Sequence, residues 1–296
     1  MPIPHDGART GRKGNEVTME WISTKTLSAI ILLIFFIPLV VWGPAWSILI
    51  VLIAAVGLAL HEFYEMTLPD GRRDDKWLPI AIGVAFPLIF FLNPGSPDDL
   101  ILALSVTLLV ILAFGLFTHL HDEDLRGALS HMAILAFGIF YVGFLGSFVI
   151  ALRGLEGEMQ VRWLPFLFLV TWGGDTGAYF VGKYLGKRRI VPTISPNKTL
   201  EGFLGGFVFS VALSLIARGT FVQELSWGTA VWLGMGIGIL GPIGDLVESM
   251  MKRGAAVKDT STLIPGHGGL MDRTDSIFFV APFVFFTAKV LSGSVL

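Results

Sequence analysis

Runs of about 20 apolar residues, the length that crosses a hydrocarbon core of ~30 Å as a helix, recur along the whole chain. They lie at 27–42, 45–64, 77–92, 99–118, 128–152, 161–181, 203–217, 227–251 and 274–291, parted by short polar stretches. The pattern predicts an all-α, polytopic transmembrane bundle of about nine spans. Only Gly43-Pro44 separates the first two runs. Together they are too long for one crossing, so a tight turn is expected there. Residues 1–26 are polar with scattered glycines and read as a disordered cytoplasmic tail; Met19 offers an alternative start. A cleaved signal peptide is not expected, because the first apolar run is long and no small-residue cleavage site precedes a soluble domain.

Sorting the basic residues by side of the membrane tests this count. With nine spans, 17 of the 21 Lys and Arg fall on one side, leaving Arg153, Arg162, Arg218 and Lys289 on the other. A miscounted span before residue 180 would scramble that asymmetry. The positive-inside rule then makes the N-terminus cytoplasmic, with the basic loops 182–201 and 252–273 on the same side.

Composition agrees. Of the 296 residues, 53% are hydrophobic and 15% charged, with a mean hydropathy of +0.73; soluble domains carry about 25% charged residues. A net charge of −2 and the lack of a basic arm with interleaved aromatics exclude nucleic acid as a partner. The absence of cysteine excludes disulfides, thiolate metal sites and a cysteine nucleophile. Gly236, Gly238 and Gly241 match G-x-G-x-x-G, but inside an apolar span without the strand a dinucleotide fold needs. Close helix packing is the better reading, and Gly234 and Gly238 have the spacing for it. His61-Glu62 with Glu65 does not form H-E-x-x-H, and no P-loop is present.

Acids within spans are rare and usually functional. Asp175, Asp245 and Asp272 stand near the cytoplasmic ends of the sixth, eighth and ninth runs, so residues distant in sequence share one membrane depth. At about 100° per residue, Asp245, Glu248, Ser249 and Lys252 share a helix face. Asp272, Asp275 and Ser276 repeat the i, i+3, i+4 spacing. Oxygen-only ligands suit Mg²⁺; the plainer alternative is salt bridges closing helix ends, such as Asp245 with Lys252. Between the last two runs lie Lys252-Arg253, Lys258-Asp259, Pro265-Gly266-His267-Gly268-Gly269 and Asp272-Arg273. Four cations exceed what the nearby acids neutralise, which points to an anionic ligand. Ser195, Asn197, Lys198 and Thr199 precede an expected helix start, a place where phosphate binds and where a simple helix cap would look the same.

From Ser249 to Asp275 the chain resembles the signature of the phosphatidate cytidylyltransferases, without departure. Trp172–Phe180, Ser195–Gly202 and Gly244–Ser249 resemble that family's other blocks; the N-terminal half matches only in hydropathy and around Glu62-Phe63-Tyr64. The resemblance implies N-terminal transmembrane helices over 27–152 and a catalytic region over 153–296. It implies transfer of CMP from CTP to phosphatidate, giving CDP-diacylglycerol and pyrophosphate, with Mg²⁺ and room for a second cation. It further implies an active site facing the cytoplasm in a bacterial inner membrane, and allows a homodimer. On this basis Asp245 and Asp272 are expected to hold Mg²⁺, supported by Asp175 or Glu248. Lys198, Lys252, Arg253 and Arg273 are expected to neutralise phosphates, and Lys258 and His267 to contact them. Asp275 is expected to orient Arg273 or a metal-bound water. Ser195, Asn197, Thr199, Ser249, Gly268 and Gly269 would complete the substrate contacts. A CTP-dependent lipid-alcohol kinase, and in a different class a cation-coupled transporter, are the competing readings; transport predicts acids nearer the midplane and paired repeats.

Overall fold

The computed structural model describes residues 34–94, 96–155, 160–261, 263 and 268–291. The expected tail, Met19 and His267 lie outside them. The helices are α1 (34–42), α2 (Ala45–Thr67), α3 (Trp77–Leu92), α4 (Pro97–Thr118), α5 (Ala128–Gly138), α6 (Leu145–Gly154), α7 (Trp163–Leu185), α8 (Leu200–Thr220), α9 (Trp227–Gly254) and α10 (Met271–Leu291). A π-helical stretch, Ile139–Phe144, joins α5 and α6 into one rod. Among the described residues there is no strand; Arg189 and Thr199 form an isolated antiparallel bridge.

The protein is therefore an all-α membrane bundle. Among the described residues, seven rods are long and apolar enough to cross a bilayer: α2, α3 with its preceding turn, α4, α5–α6, α8, α9 and α10. Helix α7 has the length, but Gly173-Gly174-Asp175-Thr176 dilute its apolar character. Gly43-Pro44 does break the first two runs, and the buried Arg153 donates to Gly43 O at 2.7 Å to hold that corner. Several helices overrun their apolar stretches at the polar end. Helix α9 continues to Gly254, with Lys252 and Arg253 in its last turn, where cations favour the negative end of the helix dipole.

Lipid offers no hydrophobic drive between helices, so they associate by close packing and internal hydrogen bonds. Phe86, Phe90, Phe144 and Phe148 interlock edge to face between α3 and the α5–α6 rod. Tyr64 donates to Leu135 O at 2.7 Å and Ser214 to Ala230 O at 2.6 Å. Glycines let α7, α8 and α9 approach. A Cβ at Gly206 would lie 2.8 Å from Ala178 Cβ, at Gly234 2.7 Å from Val211 Cα, and at Gly238 3.0 Å from Phe207 Cα. The glycine run of α9 is thus a packing face.

Candidate active site

The last turns of α9 present four polar side chains along one stripe. One oxygen from each of Asp245, Glu248 and Asp275 lies within 4.8 Å of the others. Ser249 Oγ donates to Asp245 Oδ1 at 3.4 Å. Lys252 Nζ stands 2.6 Å from Glu248 Oε2 and 2.6 Å from Asp272 Oδ1, so it ties α9 to α10. Asp245 does not pair with Lys252, which sits two turns further on, about 10 Å along the axis. Its Oδ2 instead meets Lys198 Nζ at 2.7 Å. Asp175 on α7 interacts with Asp245, Lys198 and Ser276.

This donor set fits a hard divalent cation. Its oxygens come from three carboxylates, two of them buried, at mutual distances where like charges repel. Glu248 Oε1 is buried and has no hydrogen-bond partner among the described residues. Gly244 makes the cluster possible. A Cβ there would fall 2.6 Å from the backbone oxygen of Asp275 and 3.2 Å from Ser276 Cα. Gly244→Ala is therefore expected to push α10 away from α9, costing about 1–3 kcal/mol in stability as overpacking does. A lower melting temperature in detergent, with turnover lost faster than folded protein, checks it.

Asp272 is not one of the three clustered carboxylates, but it interacts with Glu248 and shares Lys252 with it. Besides Lys252, it accepts from Thr260 N at 3.1 Å, Thr260 Oγ1 at 3.0 Å and Gly269 N at 2.8 Å, all on Oδ2. Gly268 has φ +80°, and a Cβ there would lie 2.8 Å from the same Oδ2. Glycine is needed at 268 for both reasons. Asp272 thus braces the segment that enters α10, whereas Asp275, one turn later, faces α9.

Before α8 the chain doubles back. Ile190 N donates to Lys198 O at 3.1 Å and Leu200 N to Arg188 O at 2.8 Å. Glu201 accepts from the amides of Lys187 and Arg188 at 2.9 and 3.1 Å. Thr199 caps α8 through Gly202 N at 3.1 Å. This small hairpin swings Lys198 over α9. A cavity of about 540 Å³ opens beneath it, lined by Asp175, Tyr179, Lys183, Asn197, Lys198, Thr199, Phe203 and Asp245 among others. Ser195 lies in the turn outside the lining, its amide donating to Val191 O at 2.9 Å. Arg253 Nε donates to Ile194 O at 3.3 Å, tying α9 to that turn. Lys258 and Arg273 are exposed.

Two residues outside the sequence-derived set reach this centre from the N-terminal half. Glu62 on α2 binds the segment leading into α10. Tyr141, in the π-helical stretch, is buried, with a hydroxyl that has no hydrogen-bond partner among the described residues. Its ring packs on Phe278 and Phe279 of α10, and it interacts electrostatically with Asp275, Glu248 and Asp245. π-Helical turns within α-helices are frequent at functional sites. The Glu62-Phe63-Tyr64 stretch was a faint sequence signal; a lone tyrosine in an apolar run was none.

The sequence model of the cytidylyltransferase family matches residues 23–291. Among curated relatives, a phosphatidate cytidylyltransferase of Staphylococcus haemolyticus is 32% identical over 262 residues, covering 88% of this chain and 96% of that protein. One of Bacillus subtilis is 33% identical over 273 residues, covering 90% and 98%. One of Staphylococcus saprophyticus is 35% identical over 266 residues, covering 88% and 96%.

Proposed function

This chain belongs to the cytidylyltransferase family, and from that premise we propose that it makes CDP-diacylglycerol from CTP and phosphatidate at the cytoplasmic face of a bacterial inner membrane. One observation carries the reading: three carboxylates converge beside a cavity, flanked by Lys198 and Lys252 at the ends of apolar helices. CTP is soluble and anionic and enters the cavity under the basic hairpin. Phosphatidate is a lipid anion whose headgroup lies where bilayer meets water, the depth of this centre.

A phosphatidate phosphate oxygen attacks the α-phosphorus of CTP. The bond from that phosphorus to the bridging oxygen of the β-phosphate breaks, and pyrophosphate leaves. A phosphate monoester has its second pKa near ~6, so the nucleophile is already anionic at neutral pH and needs no strong base. Positioning and charge neutralisation then supply most of the rate. Asp245, Glu248 and Asp275 are the residues we assign to Mg²⁺, with Asp175 nearby. When bound, the cation neutralises phosphate oxygens. Lys198, with Asn197 and Thr199, faces the nucleotide. Lys252 holds Glu248 in place, and Arg253, Lys258 and Arg273 meet phosphate at the rim. His267 is assigned a phosphate contact from its place in the signature alone.

Tyr141 offers its unpartnered hydroxyl to this anionic centre. Tyr141→Phe is expected to keep the melting temperature and to lower turnover about tenfold, the scale of one lost hydrogen bond to a charged group. Unchanged turnover would remove Tyr141 from the site. The proposal itself is tested with purified protein, Mg²⁺, phosphatidate and CTP labelled either in the cytidine or at the γ-phosphate. Lipid-extractable cytidine label with pyrophosphate release is the expected result. γ-Label in the lipid with CDP release would indicate a kinase and overturn it.

A further inference from the structure

We infer that Glu62 is a positioning residue for this reaction, acting from α2 on the polypeptide that enters α10; the inference rests on the activity proposed above. Glu62 is 4% exposed. Its carboxylate accepts from Ser261 Oγ at 2.6 Å, Leu270 N at 3.0 Å and Met271 N at 2.9 Å, and shares the hydroxyl of Thr260, 3.1 Å away, with Asp272. A carboxylate removed from water needs donors of this number, since each oxygen can take two. Two of these donors are amides at the start of α10, which have no partner within their own helix. Glu62 therefore caps α10 from a helix some 200 positions earlier, at the positive end of its dipole.

What distinguishes this from ordinary capping is where the bonds lead. Thr260 Oγ1 stands between Glu62 Oε2 and Asp272 Oδ2, and has a single proton for the two. Gly269 is pressed into the same corner: a Cβ there would lie 2.5 Å from Glu62 Oε2. Asp272 passes the constraint to Lys252, and Lys252 to Glu248 in the carboxylate cluster. The position of Glu62 thus sets that of Glu248 through four polar contacts. Among the described residues, the cavity assigned to CTP has no lining residue from 260–271. Loss of Glu62 should therefore slow the reaction without weakening CTP.

Glu62→Gln keeps the shape but turns two N–H donors toward groups that themselves donate. Its kcat is expected to fall about 10–100-fold, the scale of a lost outer-shell partner, with KM for CTP within about twofold of wild type. Glu62→Asp, which restores the charge, should recover part of kcat. Ser261→Ala, which removes one donor and leaves both amides, should lower kcat less than Glu62→Gln does. Hydrogen exchange supplies a readout independent of activity: amides at 268–271 should exchange faster in Glu62→Gln while those of α7 and α8 do not. Wild-type kcat in Glu62→Gln, or unchanged exchange at 268–271, overturns the inference. So does a rise in KM for CTP with faster exchange throughout the bundle, which marks a general folding defect. Wild-type protein that transfers no cytidylyl group overturns the proposed activity instead, and the exchange result still reports whether Glu62 holds the segment.

Discussion

Asp245→Asn is expected to lower turnover by about 10²–10³-fold, the scale for removing one preorganised charge partner at a reacting centre, and to raise the Mg²⁺ concentration needed for half-maximal rate. Asp245 contributes to the three-carboxylate cluster and pairs with Lys198 across the cavity. Asparagine leaves its shape but removes the charge that both the cation and Lys198 answer to. Asp272→Asn is the informative comparison. Its oxygens are engaged by Lys252, Thr260 and Gly269, at the edge of the cluster rather than within the triad. It should lower turnover about tenfold through a loosened brace, with the Mg²⁺ requirement unchanged and the melting temperature reduced. Titrating Mg²⁺ against initial rate for both variants separates the two roles. Near-normal turnover of Asp245→Asn at ordinary Mg²⁺ would sink the metal assignment. A Mg²⁺ requirement raised only in Asp272→Asn would return the ligand role to Asp272.

The helices were legible because lipid imposes a length and an apolar rule on each, and hydropathy reports both. The stripe Asp245, Glu248, Ser249, Lys252 was legible for a similar reason, since helical spacing alone puts those residues on one face. The choice between Asp272 and Asp275 was not. They lie one turn apart on one face of the same helix, and which of them reaches Asp245 and Glu248 depends on how α10 is set along α9. Contact with Gly244 sets that register, and a contact between helices leaves no trace in the spacing of either. The partner of Asp245 was hidden in the same way. Sequence placed Lys198 on the same side of the membrane as the end of α9 that carries Asp245, but only the hairpin folded back from α7 brings them to 2.7 Å. Glu62 and Tyr141 were least visible. Each sits in an apolar run, where a single polar residue is ordinarily satisfied by its neighbours, and each meets partners more than a hundred positions away.

Lys252→Met should be the most destabilising single change at this centre. The ammonium lies 2.6 Å from two carboxylates on different helices, and all three side chains are shielded: Lys252 is 12% exposed, Glu248 1% and Asp272 8%. Removing one member of a buried charged set costs ~3–5 kcal/mol, because the charges left behind can neither pair nor reach water. Here two carboxylates would be left facing each other, so α9 and α10 should separate at their polar ends. The expected result is a clear fall in the melting temperature in detergent together with loss of turnover. The double variant Lys252→Met/Glu248→Gln decides whether charge is the cause. Removing one of the stranded carboxylates should restore much of the melting temperature but not the activity, since Glu248 is also assigned to the cation. A single variant that melts like wild type would mean that the two acids are neutralised without Lys252.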